Sequence, residues 1–306
     1  MAAEHGAYAY QLASNYTDGK LGMLVPLYSY PTSQSWSRLI GIKNANPSVP
    51  IIAIVNPDSG PGIRPDPNFT RGINSLKSAG IIVLGYVYTG YGAVNISTVD
   101  GEINDYKKWY GVDGIMFDGM NSSSSDIDYY SNIKSNASAE GFNFTVGDPG
   151  TSFSGNYIGL MDSFVVYEGL GLPPLALMES RTSGYPRSDF AVIAYGVKNF
   201  NASYLSELSK YAGWIYLTDN SSSNPYASIP QYEGNFVSEL SSINSNMSTS
   251  QNTTKQPSQP TLSFIATNKT YSYYILVVAM VIIAAAYYLH VTRRRKKISL
   301  LSETGP

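Results

Sequence analysis

Short unbroken apolar runs alternate along most of this chain with stretches in which apolar residues recur every three or four positions. The runs are Leu21–Tyr30, Val49–Val55, Ile81–Tyr88, Val112–Phe117, Phe142–Val146, Ser163–Tyr167, Ala191–Tyr195 and Trp214–Leu217. Continuous apolar stretches such as Ile115, Met116 and Phe117 suit strands covered on both faces, as in a parallel sheet. Helical spacing falls between them, over Ser33–Ala45, Phe69–Ala79, Thr98–Tyr110, Asp126–Glu140, Ala202–Tyr211 and Tyr232–Ile243. Eight strands alternating with helices across residues 21–243 predict a (β/α)8 TIM barrel. A doubly wound open sheet is the alternative. It calls for a Gly-rich phosphate turn after the first strand, where Tyr28-Ser29-Tyr30-Pro31 stands instead.

The pattern changes at both ends. Residues 1–20 are polar, with no apolar signal core. Residues 244–270 are rich in Ser, Thr, Asn, Gln and Pro, too polar to fold alone, and read as a disordered stalk. Tyr273–Val291 then carries no Asp, Glu, Lys or Arg and is long enough to span a bilayer. Tyrosines flank it at both ends, and Arg293, Arg294, Arg295, Lys296 and Lys297 follow at once. This predicts a transmembrane helix over 271–292, a cytoplasmic basic tail over 293–306 and a barrel outside the cell membrane. Eleven Asn-x-Ser/Thr sequons, at Asn15, Asn68, Asn95, Asn121, Asn136, Asn143, Asn201, Asn220, Asn246, Asn252 and Asn268, agree with an exterior domain carrying N-glycans at some of them.

Composition removes several kinds of chemistry. The formal charge of −2 combines that basic tail with a more acidic remainder, so no nucleic-acid-binding face is expected. There is no cysteine, hence no thiolate nucleophile or thiolate metal site. The two histidines, His5 and His290, both lie outside the predicted barrel, so neither a His-dependent triad nor a His-based metal site is expected there. The chain also contains 26 tyrosines, whose flat amphipathic rings suit both cores and sugar surfaces.

Acids cluster behind the predicted strands. Asp118 follows the fourth, Asp148 the fifth, Glu168 the sixth and Asp219 the eighth, while Tyr28, Asn56, Tyr88, Tyr91 and Tyr195 hold comparable places elsewhere. A lone strand-end Asp is as readily the cap of the next helix as part of a site. In a barrel, however, all these positions converge on the C-terminal mouth. Several carboxylates with aromatic walls meet the needs of glycoside cleavage, while an all-oxygen Mg or Ca site remains open on the residues alone. We expect no cofactor.

The segments LVPLYSYP, IIAIVNPDSGPG, GIIVLGYVYTGYG, WYGVDGIMFDGM, DPGT, VVYEG and WIYLTDN, with the later NPY and IP, resemble the spherulin-4-like family from about Gly22 to Ile243. That family is similar to (β/α)8 glycoside hydrolases that cut α-1,4-linked galactosamine and N-acetylgalactosamine polymers within the chain. The resemblance implies a catalytic pair at Asp118 (nucleophile) and Glu168 (acid, then base), with no metal, and a polysaccharide partner. Tyr28, Asn56, Tyr88, Tyr91, Asp148, Tyr195 and Asp219 are candidate substrate-binding residues. Two positions depart from the family pattern: Gly119 stands where a Glu is common, and Asp148-Pro149-Gly150 where Asn-Pro-Gly is usual. We expect a short, retaining spacing of the pair, with Glu168 the less solvated of the two. A surface protein that binds carbohydrate on the same barrel without turnover is the alternative.

Overall fold

The computed structural model describes residues 19–142 and 144–254. The eight runs form eight parallel strands: β1 (Met23–Pro26), β2 (Ile51–Val55), β3 (Ile82–Tyr88), β4 (Gly114–Asp118), β5 (Phe144–Asp148), β6 (Ser163–Leu170), β7 (Phe190–Tyr195) and β8 (Trp214–Leu217). They pair in chain order from β1 to β8. One bridge, Gly22 to Trp214, brings the two ends together. There the Gly22 N–H donates to the Gly213 carbonyl (2.9 Å) and the Ile215 N–H to the Gly22 carbonyl (3.0 Å). The result is a nearly closed barrel of parallel strands with helices, consistent with the (β/α)8 architecture.

Seven α-helices accompany the strands among the described residues: α1 (Gln34–Ala45), α2 (Pro67–Ser78), α3 (Ile96–Asp105), α4 (Ile127–Ala139), α5 (Leu175–Thr182), α6 (Ala202–Leu208) and α7 (Glu233–Thr254). Their starts are written in the sequence. Asp66 accepts from the Asn68 N–H ahead of Pro67, Asn95 from the Ser97 N–H and Asn201 from the Tyr204 N–H. Each such cap is worth about 1 kcal/mol.

The strict alternation fails once. Between β5 and β6 only a 3-10 turn, Gly155–Tyr157, stands where a helix would complete the repeat. Gly150, Gly155 and Gly159 interrupt this segment, and glycine disfavours a helix interior. Strand ends also shift from the sequence reading. Asp118 and Asp148 are the last residues of β4 and β5. Glu168 lies inside β6, which is bulged between Val165 and Tyr167 and runs on to Leu170. Helix α7 passes the expected end of the barrel at residue 243. The Asn244 Oδ1 accepts from the Leu21 N–H (2.7 Å) and its Nδ2 donates to the Leu21 carbonyl (3.0 Å), so Asn244 belongs with the barrel. The stretch expected as stalk is therefore helical as far as Thr254. Residues 1–18 and 255–306, with the expected membrane helix and basic tail, lie outside the described residues, as do the sequons Asn15, Asn143 and Asn268. No described helix is long and apolar enough to cross a membrane.

One glycine fixes which face of β3 points inward. A Cβ on Gly85 would sit 2.6 Å from the ring of Tyr106, in the turn that follows α3. Gly85 therefore faces the helical layer, and its strand neighbours Leu84 and Tyr86 face the barrel interior. At the N-terminal ends of β4 and β6, the acids have both a backbone N–H and a lysine. The Asp113 carboxylate accepts from the Val83 N–H (2.9 Å) and pairs with Lys77 (2.9 Å). The Asp162 carboxylate accepts from the Thr145 N–H (2.8 Å) and hydroxyl (2.9 Å) and pairs with Lys134 (3.0 Å).

Candidate active site

Strand register builds the site. Tyr88 lies beside Asp118, and Asp118 beside Asp148, across β3, β4 and β5. Glu168 comes from β6, the next strand round. One carboxylate oxygen from each of Asp118, Asp148 and Glu168 lies within 4.8 Å of the others. Two tyrosines hold the outer members. The Tyr86 hydroxyl donates to Asp118 Oδ2 (2.5 Å), and the Tyr226 hydroxyl donates to Glu168 Oε1. Burial, reinforced by these acids, raises both hydroxyls far above the usual phenol range, so both stay protonated donors.

Asp148 differs from its neighbours. It is 2% exposed, and no N–H or O–H of another described residue reaches its Oδ2. Burial first, then the charges of Glu168 and Asp118, push its carboxyl well above the usual carboxylate range; the Gly150 N–H opposes them only in part. The least solvated acid of the mouth is Asp148.

The other expected residues divide into three groups. Tyr28 is part of the centre: its ring meets those of Tyr86 and Tyr226 edge-on, at centroid separations of 5.7 and 5.6 Å. Tyr195 reaches the same wall through Tyr226, at 6.4 Å. Tyr88 and Tyr91 form an exposed rim, 41% and 63% accessible. Tyr91 sits in the left-handed region (φ 58°), its N–H held by the Gly119 carbonyl at 2.6 Å. Gly119 is itself left-handed (φ 60°), and a Cβ there would lie 2.5 Å from the Tyr88 ring. Any larger residue at 119 would displace Tyr88. Asn56 and Asp219 are not drawn into the acid cluster. The Asn56 Oδ1 accepts from the Gly60 N–H (2.9 Å) and shapes its own loop, and the Asp219 charge acts on Tyr216, Tyr232 and Glu233.

Sequence reasoning passed over Tyr86 and Tyr226. Tyr86 was legible, because it shares the inward face of β3 with Tyr88 two positions on. Tyr226 was not, because it lies in a Ser/Asn/Pro loop without periodicity. That loop is fixed by Asn224, whose Oδ1 accepts from the Tyr226 N–H (3.0 Å) and whose Nδ2 donates to the Tyr28 carbonyl (3.0 Å).

Three carboxylates at this spacing are a beginning of an oxygen-rich cation site, but a poor one. Ca²⁺ takes six to eight oxygens. Here one oxygen each of Asp118 and Glu168 is committed to a tyrosine. We assign no metal to it. The arrangement suits proton transfer and nucleophilic attack by carboxylates beside a flat aromatic wall.

Residues 22–240 match the family described as Spherulation-specific family 4. The chain belongs to that family. Over 212 residues it is 34% identical to Spherulin-4 of Physarum polycephalum, covering 64% of this chain and 63% of that relative. The chain therefore spans less than two thirds of the relative's length. Among solved structures it is similar to Aspergillus clavatus Sph3, described in complex with GalNAc, at 26% identity and a TM-score of 0.67. That match covers 72% of this chain and 97% of Sph3. The family range in this spherulin-4 relative begins at the Gly22 bridge and ends within α7, so it includes every acid of the mouth.

Proposed function

We propose that this protein is a glycoside hydrolase that cuts within α-1,4-linked galactosamine or N-acetylgalactosamine polymers and retains anomeric configuration. The observation that carries the reading is the approach of Asp118 and Glu168 oxygens to within 4.8 Å inside a tyrosine-walled mouth. Retaining enzymes hold their two carboxyl groups roughly 5–5.5 Å apart, and inverting ones roughly 6.5–9.5 Å to admit a water. In this reading Asp118, steadied by Tyr86, attacks the anomeric carbon. Glu168, steadied by Tyr226, protonates the leaving oxygen and then activates the water that releases the sugar. The amino-sugar substrate is supported by the family resemblance and by the GalNAc held by Sph3. Attack inside a polymer is supported by the exposed Tyr88 and Tyr91, which offer stacking surfaces beyond the acids. We further infer a single-pass anchor with the barrel outside the cell membrane, supported by the uncharged segment Tyr273–Val291 and the cations that follow it. The exposed Asn95 and Asn201 are good glycan acceptors, because capping uses Oδ1 and leaves Nδ2 for the sugar.

The test is incubation of the full chain with both polymers, reading released oligomers by mass spectrometry and the first-formed anomer by NMR. Internal cuts with the α-anomer formed first are expected; the β-anomer first overturns retention. A second reading, a binding protein without turnover, draws on Gly119, which removes a carboxylate common in the family. Tight binding of polymer with no oligomers released would favour it.

A further inference from the structure

Asp148 has no role in the two-carboxylate scheme, yet it is the most deeply placed of the three acids. Three features of the geometry define its position. It lies in register beside Asp118, across β4 and β5. Its carboxylate comes within 4.8 Å of both catalytic candidates. Its buried Oδ2 has no donor from any other described residue. A buried oxygen without a donor is costly, and a buried carboxylate between two others cannot stay ionised at low cost. The hydrogen that resolves both conflicts is Asp148's own.

The neighbouring elements supply no positive charge to remove this need. The groups acting most strongly on Asp148 are the carboxylates of Glu168 and Asp118 and the backbone N–H of Gly150. Tyr28 and Tyr226 sit in the same field as neutral phenols. Arg181 of α5 directs its guanidinium to the Val166 carbonyl and the Thr151 hydroxyl. Lys198 binds the Asp219 carbonyl.

We propose that Asp148 is a positioning residue that shares one proton with Glu168 and keeps the general acid supplied with it at neutral and mildly alkaline pH. This rests on the glycosidase reading above. In the resting pair, Asp148 Oδ2 carries the proton and donates it to Glu168. As the glycosidic bond breaks, the Asp148 O–H bond breaks and an O–H bond forms on Glu168. Glu168 in turn gives its proton to the leaving oxygen, and the bonding pair of the glycosidic link stays on that oxygen. Asp148 is left ionised. In the second step water divides: its hydroxide joins the anomeric carbon, freeing Asp118, and its proton returns through Glu168 to Asp148. Protons and charge balance over the cycle.

The residue that the family usually carries at this turn is Asn, so Asp148→Asn is a substitution the fold is expected to tolerate. Asn donates a hydrogen bond to Glu168 but cannot store a proton. The pair then has one proton-holding carboxyl fewer. On the full chain, Asp148→Asn should move the alkaline limb of kcat at least one pH unit lower, with KM changed less than twofold. A merely structural role would lower kcat at every pH alike, and that result overturns the proposal. Infrared spectra supply a readout independent of turnover. In the difference spectrum of parent minus Asp148→Asn at pH 7, where Glu102 and the buried Glu233 contribute equally to both chains and cancel, a protonated carboxyl band should remain, and Asp118→Asn should lower the pH at which that band disappears. A difference spectrum with no carboxyl band also overturns the proposal. If the parent cuts no polymer, the hydrolase reading fails, while the infrared comparison still decides whether the proton is shared.

Discussion

Strands β4 and β6 each have one acid just before their first residue and another at or near their last, and the two ends treat them in opposite ways. At the N-terminal end, Asp113 and Asp162 precede their strands, and each has a lysine and a backbone N–H. At the C-terminal end, Asp118 and Glu168 have tyrosine hydroxyls, and Asp148 crowds in between them. The residue types are the same, and so is the sheet that holds them. One end compensates its charge and serves stability. The other leaves its charge uncompensated, as a catalytic mouth does. Backbone geometry divides in the same way. The two non-glycine residues with positive φ among those described, Ser59 and Tyr91, both lie in loops at the mouth end.

The comparison is broken most severely by removing charge at the mouth. Asp118→Asn should lower turnover about 10³-fold or more, the scale of losing a catalytic carboxylate, while polymer binding changes less than about twofold. Cleavage at the parent rate would remove Asp118 from the mechanism. Next in size is Tyr226→Phe. It deletes a hydrogen bond to a charged group, worth about 1.5–3 kcal/mol, so kcat should fall roughly ten- to a hundred-fold with the fold intact. An unchanged kcat would mean that Glu168 needs no anchor.

At the other end the same kind of change should act on stability alone. Asp162→Ala strands the Thr145 N–H and hydroxyl, each near a buried strand. We expect a loss of about 1–3 kcal/mol, seen as a lower Tm, with kcat and its pH profile unchanged. The mouth should also respond to pH in a way the far end does not. Asp148 binds its proton more tightly folded than unfolded. Its contribution to stability is therefore present below the ordinary Asp range and is lost as pH rises from there toward its raised folded value. Asp148→Asn should flatten that decline, so the variant gains on the parent at pH 8 more than at pH 4. Glu102, pushed up to about 7 by burial and by Asp105, acts with the same sign between about 4.5 and 7, so the reading must come from the difference between the two chains.

How far the sequence reaches can be followed along single strands. β4 was legible because Ile115, Met116 and Phe117 leave no polar alternative, and its register then set Asp118 beside Asp148. The alternation also carried the barrel, and barrel geometry alone sent four acids to one mouth. What it could not carry was contact. Asp219 occupies a strand-end position as good as that of Asp148, yet it lies outside the acid cluster and its charge acts on Tyr216, Tyr232 and Glu233 instead. Asn56 turns back on its own loop through Gly60. Tyr226 enters from a loop whose course depends on Asn224 reaching Tyr28, far away in the chain. The glycine-rich stretch after β5 carries no helical spacing and forms no helix, whereas α5 after β6 is a helix that the spacing did not reveal. The extension of α7 beyond residue 243 was hidden by polar composition, because Asn244 is held by hydrogen bonds and not by burial of an apolar face.

The smallest effect is expected at Tyr91, and it separates the two demands on the mouth most cleanly. The residue combines an exposed ring with a left-handed backbone. If the strain persists for the sake of the ring, the two can be removed one at a time. Tyr91→Ala removes the ring and keeps a side chain in the strained region. Tyr91→Gly removes both. Polymer binding should fall equally in the two variants, by several-fold, the range of one lost stacking contact. Stability should not fall equally. Glycine accepts positive φ without steric cost, whereas alanine does not. The Gly variant should therefore be about 0.5–1 kcal/mol more stable than the Ala variant, despite glycine's larger loss of freedom on folding. In a domain of this size that is a difference of roughly 1–4 °C in Tm. Equal melting temperatures would show that the loop relaxes when the ring is lost, so that the strain belongs to the ring's own packing. Equal polymer binding by parent and both variants would take Tyr91 out of the binding surface and leave Tyr88 as the rim's contact with the chain of sugars.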